Sequence, residues 1–286
     1  MRAIPRIGAC ALFALASALA SATCCAQTYP PLPALDIDVS QTSVSGLSSG
    51  AFMAVQLGVA YSSIVKGVGV VAGGPYYCAQ GDILTATTRC SCTIQPASLC
   101  AVTPASADVP ALVAKTKAFA ASRLIDDPAN IGAQRVIAIS GASDTTVPEA
   151  VVAQVGDYYA ALGVPAENRT EIDRKKTGHT LPTVSYGAAC SKTESPYIGK
   201  CGYDAAKELL GWLYGPAPLA PPATAQATQA HFLQFDQTRY LPAERGASFA
   251  WAVGMDTSGW LYVPAACQAG TRCRLHVALH GCKQGQ

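Results

Sequence analysis

The segment Val44–Gln56, VSGLSSGAFMAVQ, places Ser48 at the centre of Gly46-Leu47-Ser48-Ser49-Gly50, a G-x-S-x-G. A serine between two such glycines can act as a nucleophile when a tight strand-to-helix turn pushes its hydroxyl out of the chain. The start of the following helix favours the negative charge that a reaction at that hydroxyl develops. In a glycine-rich chain the pentapeptide alone is a weak signal, and its setting decides. Apolar residues from Ile37 through Val44 suit a short strand, and Phe52, Val55, Leu57 and Val59 suit a helix over 51–61, so Ser48 falls at the turn between them.

A serine hydroxyl needs a base, and the chain has four histidines: His179, His231, His276 and His280. His231 ends a Pro/Ala-rich stretch and reads as solvated surface, while His276 lies inside a strand candidate and reads as packed. His179, in KTGHTLPT, lies just past a weak strand in a Gly/Thr loop from which a side chain can project into a site; its plain alternative is a surface-loop histidine. The acid that orients such a base is expected after a buried strand, and SGASDTTVP supplies Asp144 there, with a helix cap ahead of Pro148 as the alternative. The order Ser48, Asp144, His179 is that of the α/β-hydrolases. In VALHGCKQG an apolar strand ends at His280-Gly281-Cys282, where this fold places a second oxyanion-hole amide. That loop normally precedes the nucleophile, yet here it follows Ser48, so the chain reads as a circularly permuted α/β-hydrolase.

The elements that must position these residues alternate in type. Residues 64–72 and 135–140 are nearly continuous apolar runs, as strands buried on both faces should be. Helices are expected over 109–124, 148–162 and 203–214, with an edge strand over 171–175. Residues 215–229 form a Pro/Ala-rich connector, and strand candidates at 232–235, 259–263 and 274–280 follow it. This alternation predicts an α/β fold with a doubly wound, mostly parallel sheet.

Residues 1–26 carry Arg2 and Arg6, an apolar run and then small residues, the pattern of a secretion signal. Residues 27–286 are then expected to form a single catalytic domain of an exported protein. The apolar run is shorter than the roughly 20 residues of a membrane span, so none is expected. Charged residues make up 13% of the chain and the net charge is +2, which gives nucleic acid nothing to bind. Three of the twelve cysteines lie in the leader, and the other nine read as disulfides before metal ligands. Cys190–Cys201 and Cys267–Cys273 are the expected local pairs. Cys78, Cys90, Cys92 and Cys100 hold two more bridges of open connectivity, and Cys282 is left over. The spacings match no zinc pattern, and neither a metal nor an organic cofactor is expected.

Taken together, GLSSGAFMAVQ, SGASDTTVP, TGHTLPT and LHGCKQG resemble the extracellular poly(3-hydroxybutyrate) depolymerases of the single-domain, circularly permuted type, from about Asp36 onward. The resemblance implies Ser48 as nucleophile, Asp144 as acid, His179 as base, and the amides of Ser49 and Cys282 as the oxyanion hole. It implies a monomeric esterase acting on short-chain poly(3-hydroxyalkanoate) polyester or its oligomers. Family members continue through a further strand and a Gly-Cys-Trp segment, whereas this sequence stops at Gln286, so an incomplete form with Cys282 unpaired is expected. The rival readings are an acetyl or feruloyl esterase on plant polysaccharide and a catalytically silent polymer-binding protein.

Overall fold

Strand β1 (Ile37–Leu47), helix α1 (Ser49–Ala60) and strand β2 (Val65–Val71) open the main sheet of the computed structural model, which describes residues 29–174, 176–215, 231–241 and 255–285. Helices α2 (Ile83–Thr88) and α3 (Val109–Ala121) lead to β3 (Arg135–Gly141), and α4 (Glu149–Ala161) to β4 (Arg169–Arg174). Three short strands follow, β5 (Leu181–Thr183), β6 (Ala188–Ala189) and β7 (Ile198–Lys200), then α5 (Ala205–Tyr214). The later strands are β8 (Phe232–Asp236), β9 (Ser258–Tyr262) and β10 (Cys273–Leu279). The expected leader and nearly all of the connector lie outside the described residues.

The chain divides into two compact units. One combines Ala34–Ala230 with Pro264–Gln286 and contains a five-stranded sheet in the order β10-β1-β2-β3-β4, every neighbouring pair parallel. The other combines Met1–Pro33 with His231–Val263 and contains the antiparallel pair β8-β9. Of the three strand candidates beyond the connector, only the last therefore joins the parallel sheet.

Side chains alternate across that sheet, and the two faces are covered differently. On one face Gly67 and Gly69 of β2 lack side chains where Leu213 and Leu209 of α5 descend. Ala205, Leu209 and Leu213 recur every four residues, which gives α5 one buried stripe. On the opposite face Val68 packs against Gly58 of α1, and α4 buries Val151, Val152, Val155, Tyr158 and Tyr159. Full burial of a Val or Ile side chain contributes about 1.5–3 kcal/mol. The buried Val and Ile residues of β2 and β3 therefore contribute much of the apolar stabilisation of this sheet. The result is the α/β-hydrolase architecture, with a parallel sheet between helical layers.

Candidate active site

In a parallel sheet all strands run the same way, so the loops after β1, β3, β4 and β10 emerge along one edge. Ser48 follows β1, Asp144 follows β3, His179 follows β4, and Cys282 follows β10. The topology thus brings Ser48, Asp144, His179 and Cys282 to a common rim.

Ser48 has φ +57° and ψ −124°, a conformation rare for a residue with a side chain. Its N–H donates to the Val71 carbonyl at 3.0 Å and its carbonyl receives the N–H groups of Ala51 and Phe52, which hold the turn in place. Two glycines permit that turn. A Cβ on Gly46 would strike the Gly50 backbone, and one on Gly50 would strike the carbonyls of Leu279 and His280 at the end of β10. A serine beginning a helix usually caps it, but the Ser48 hydroxyl makes no cap hydrogen bond.

Asp144 and His179 are 6% and 5% exposed, and His179 Nδ1 donates to Asp144 Oδ2 at 2.7 Å. Because a carboxylate only accepts, a proton sits on Nδ1, and in the neutral imidazole Nε2 is then the acceptor. The other carboxylate oxygen, Oδ1, accepts the N–H groups of Thr146 (2.8 Å) and Val147 (2.9 Å). Asp144 thus braces the turn ahead of α4 with one oxygen and contacts the imidazole with the other.

The segment around His179 is held from two sides. Toward β3, Ser143 N–H donates to the Thr177 carbonyl at 3.1 Å, and Gly141 lies so close to that carbonyl that it has no room for a Cβ. On its other side, Gly178 N–H donates to the Cys190 carbonyl (2.8 Å) and His179 N–H to Thr193 Oγ1 (3.0 Å). No hydrogen bond joins Ser48 Oγ to His179 among the described residues.

The loop after β10 lies on the serine turn. A Cβ on Gly281 would sit 3.1 Å from Ser48 Cβ, and Cys282 Sγ is 3.3 Å from Ser49 Oγ. Gly281 N–H is taken by Gln284 Oε1 at 2.7 Å. The Ser49 N–H, in the first turn of α1, has no partner within its helix. Sequence reasoning passed over Thr193 and Gln284, because a threonine in a polar loop and a glutamine near a strand end carry no local signal.

His280 stays on this rim, its carbonyl against Gly50, and the other two histidines are placed elsewhere. His276 is held inside the sheet between Ser43 Oγ (2.7 Å from Nδ1) and Ser45 Oγ (2.9 Å from Nε2), and burial pushes its pKa down to about 4. His231 belongs to the other unit, with its ring against Tyr262. The disulfides are Cys78–Cys90, Cys92–Cys100, Cys190–Cys201 and Cys267–Cys273. The two local pairs are as expected, the clustered four pair in sequence order, and Cys282 is free and exposed.

Comparison with known proteins gives the chain a family. The polyhydroxybutyrate depolymerase of Talaromyces funiculosus is 38% identical over 262 residues, which cover 88% of this chain and 68% of the relative. The chain belongs to the polyhydroxybutyrate depolymerase family. The poly(3-hydroxybutyrate) depolymerase of Delftia acidovorans is 43% identical over 256 residues, 88% of this chain but 47% of the relative, so the chain spans about half of that depolymerase. The crystal structure of the PHB depolymerase from Penicillium funiculosum superposes with a TM-score of 0.72 at 35% identity, over 89% of this chain and 73% of that one. A serine-to-alanine variant of a PHB depolymerase, complexed with an R3HB trimer, gives 0.71 at 36% identity over the same shares. No family model matches the sequence. Among the described residues no helix is long and apolar enough to cross a membrane.

Proposed function

We propose that this chain is an exported serine esterase that hydrolyses short-chain poly(3-hydroxyalkanoate) polyester or its oligomers. The observation that carries the reading is the buried 2.7 Å contact between His179 Nδ1 and Asp144 Oδ2. It leaves Nε2 ready to accept a proton on the sheet edge where the strained Ser48 turn presents a hydroxyl. In the proposed reaction Nε2 takes the Ser48 proton as Oγ attacks the ester carbonyl. The resulting imidazolium returns the proton to the departing alkoxide, and an acyl-Ser48 ester remains. Water, deprotonated by the same nitrogen, then releases the acid. Asp144 keeps the imidazole in the required tautomer and stabilises its charge.

The amides of Ser49 and Cys282 are the proposed oxyanion donors, each contributing roughly 3–4 kcal/mol to the transition state. The engagement of Gly281 N–H by Gln284 supports the choice of Cys282 over its neighbour. The pairing of β10 beside β1, from opposite ends of the sequence, supports a circularly permuted connectivity. Four disulfides support export, and the R3HB trimer in a 36%-identical relative supports the substrate class.

Clearing of poly(3-hydroxybutyrate) granules by the purified protein, together with labelling of Ser48 by a serine-reactive phosphonate, tests the reading. Both are expected. Labelling without clearing would move the substrate to another ester, and neither would leave a polymer-binding protein.

A further inference from the structure

The loop closed by the Cys190–Cys201 disulfide touches two separate parts of the site. Through Thr193 Oγ1 it accepts the His179 N–H at 3.0 Å, and through the Cys190 carbonyl the Gly178 N–H at 2.8 Å. It also packs beneath Gly178, where a Cβ would come within 2.7 Å of the Ser191 carbonyl. Farther along the same loop, the Pro196 carbonyl accepts Gln284 Nε2–H at 3.1 Å, while Gln284 Oε1 accepts the Gly281 N–H at 2.7 Å. One side-chain amide therefore ties this loop to the strand-end loop that carries Cys282.

We propose that the disulfide-closed loop is a positioning element, with Thr193 setting the His179 backbone and Gln284 setting the Gly281–Cys282 loop over the Ser48 turn. This rests on the esterase reading above for its catalytic meaning. Physically, His179 needs both ends of its geometry fixed. Asp144 orients the ring through Nδ1, but a ring oriented from a loosely held backbone swings away from Ser48. Two backbone hydrogen bonds from a covalently closed loop restrain that swing, since closure limits the conformations the loop can reach. The Gly281–Cys282 loop has the complementary need. Its amide must be held in place before reaction, and Gln284 engages the neighbouring Gly281 N–H.

Two variants give separable signatures. Thr193→Val keeps the β-branched shape and removes the acceptor, and Thr193→Ser restores it. For hydrolysis of a soluble butyrate ester, Thr193→Val is expected to lower kcat about 10- to 100-fold with KM nearly unchanged, the scale of a small misplacement of a catalytic group. Thr193→Ser should recover most of the rate. By proton NMR the His179 Nδ1–H resonance, held by Asp144, is expected to be sharp in the parent protein, to broaden in Thr193→Val and to sharpen again in Thr193→Ser. Gln284→Leu should leave that resonance intact yet weaken binding of an alkylboronic acid, whose serine adduct mimics the tetrahedral oxyanion.

A parent-like kcat and an unchanged Nδ1–H signal in Thr193→Val would overturn the role of Thr193. Parent-like boronate affinity in Gln284→Leu would overturn that of Gln284. Should the parent protein itself fail to cleave the ester, the esterase reading falls, while the Nδ1–H resonance still decides whether Thr193 fixes His179.

Discussion

Asp144 contacts His179 through one carboxylate oxygen at 2.7 Å while its other oxygen holds the N–H groups of Thr146 and Val147. Two backbone donors and one imidazole fix the carboxylate plane, so the acid cannot rotate away from the base. Its loop is anchored again where Asp144 N–H donates to the Gly141 carbonyl at 2.8 Å, at the end of β3. The orientation of His179 is thereby referred back to the buried sheet.

Asp144→Asn separates these two duties. The asparagine carbonyl can still accept from Thr146 and Val147, but its amide then faces His179 and favours the wrong tautomer. The expected outcome is a fall in kcat of roughly three to four orders of magnitude, with a thermal melt close to that of the parent. Steady-state kinetics and a melt on the same preparation check this, and a near-parent rate would leave Asp144 as a brace of the turn alone.

Ser48→Ala is expected to abolish hydrolysis of a soluble butyrate ester, and Ser49→Ala to leave most of it. Only Ser48 occupies the strained turn, whereas Ser49 is exposed and its proposed contribution is a backbone amide that alanine retains. Equal loss in the two variants would mean that the nucleophile has been misplaced.

Much of this was legible in sequence because the signals were local. The strand–turn–helix around Ser48, the apolar runs of β2 and β3 and the four-residue spacing of apolar side chains in α5 each state their structure within a short window. The edge placement of the weak strand at β4 was also legible. Spatial order was less so: nothing near residue 273 marks β10 as the neighbour of β1. The strands β5, β6 and β7, two or three residues each, are too short to show a period, yet they surround the loop that holds His179. Nor does the apolar reading of β1 extend to Ser45–Leu47. Ser45 and Gly46 pair with both neighbours and Leu47 with β2, and Ser43 and Ser45 are tolerated there because His276 arrives from β10.

Two glycine substitutions are expected to move stability in opposite directions. In Gly50→Ala the new methyl meets the carbonyls of Leu279 and His280, which are backbone atoms that cannot rotate aside, and the overpacking costs about 1–3 kcal/mol. In Gly156→Ala, within α4, the methyl meets nothing within 4 Å and removes a helix-weakening glycine, a gain of about 0.5–1 kcal/mol. Thermal melts should show Gly50→Ala below the parent and Gly156→Ala above it, by about 2–4 °C per kcal/mol. A raised midpoint in Gly50→Ala would contradict the close approach of β10 to the serine turn.

His276 should make the fold sensitive to mild acid. It bridges Ser43 and Ser45 across the β1–β10 pair, Ser43 Oγ lies 2.7 Å from the Tyr214 hydroxyl of α5, and burial lowers the imidazole pKa from 6.5 to about 4. In the unfolded chain the same imidazole takes up its proton near pH 6.5. Between those values the unfolded state binds more protons than the folded one, so stability is full above about pH 6.5 and falls as the pH drops toward 4. The full shift corresponds to about 3 kcal/mol, and because the residue keeps partial access to solvent, screening reduces the expected loss to about 2 kcal/mol. His276→Gln removes the titrating group while keeping an amide that can bond both serines. Urea unfolding at pH 7.5, 5.5 and 4.5 should show the parent losing stability faster than the variant across that interval, with the variant somewhat less stable at pH 7.5 because its bonds fit less well. Parallel pH profiles for the two proteins would mean that His276 titrates alike in the folded and unfolded chain, and that the bridge between β1 and β10 does not exclude its proton.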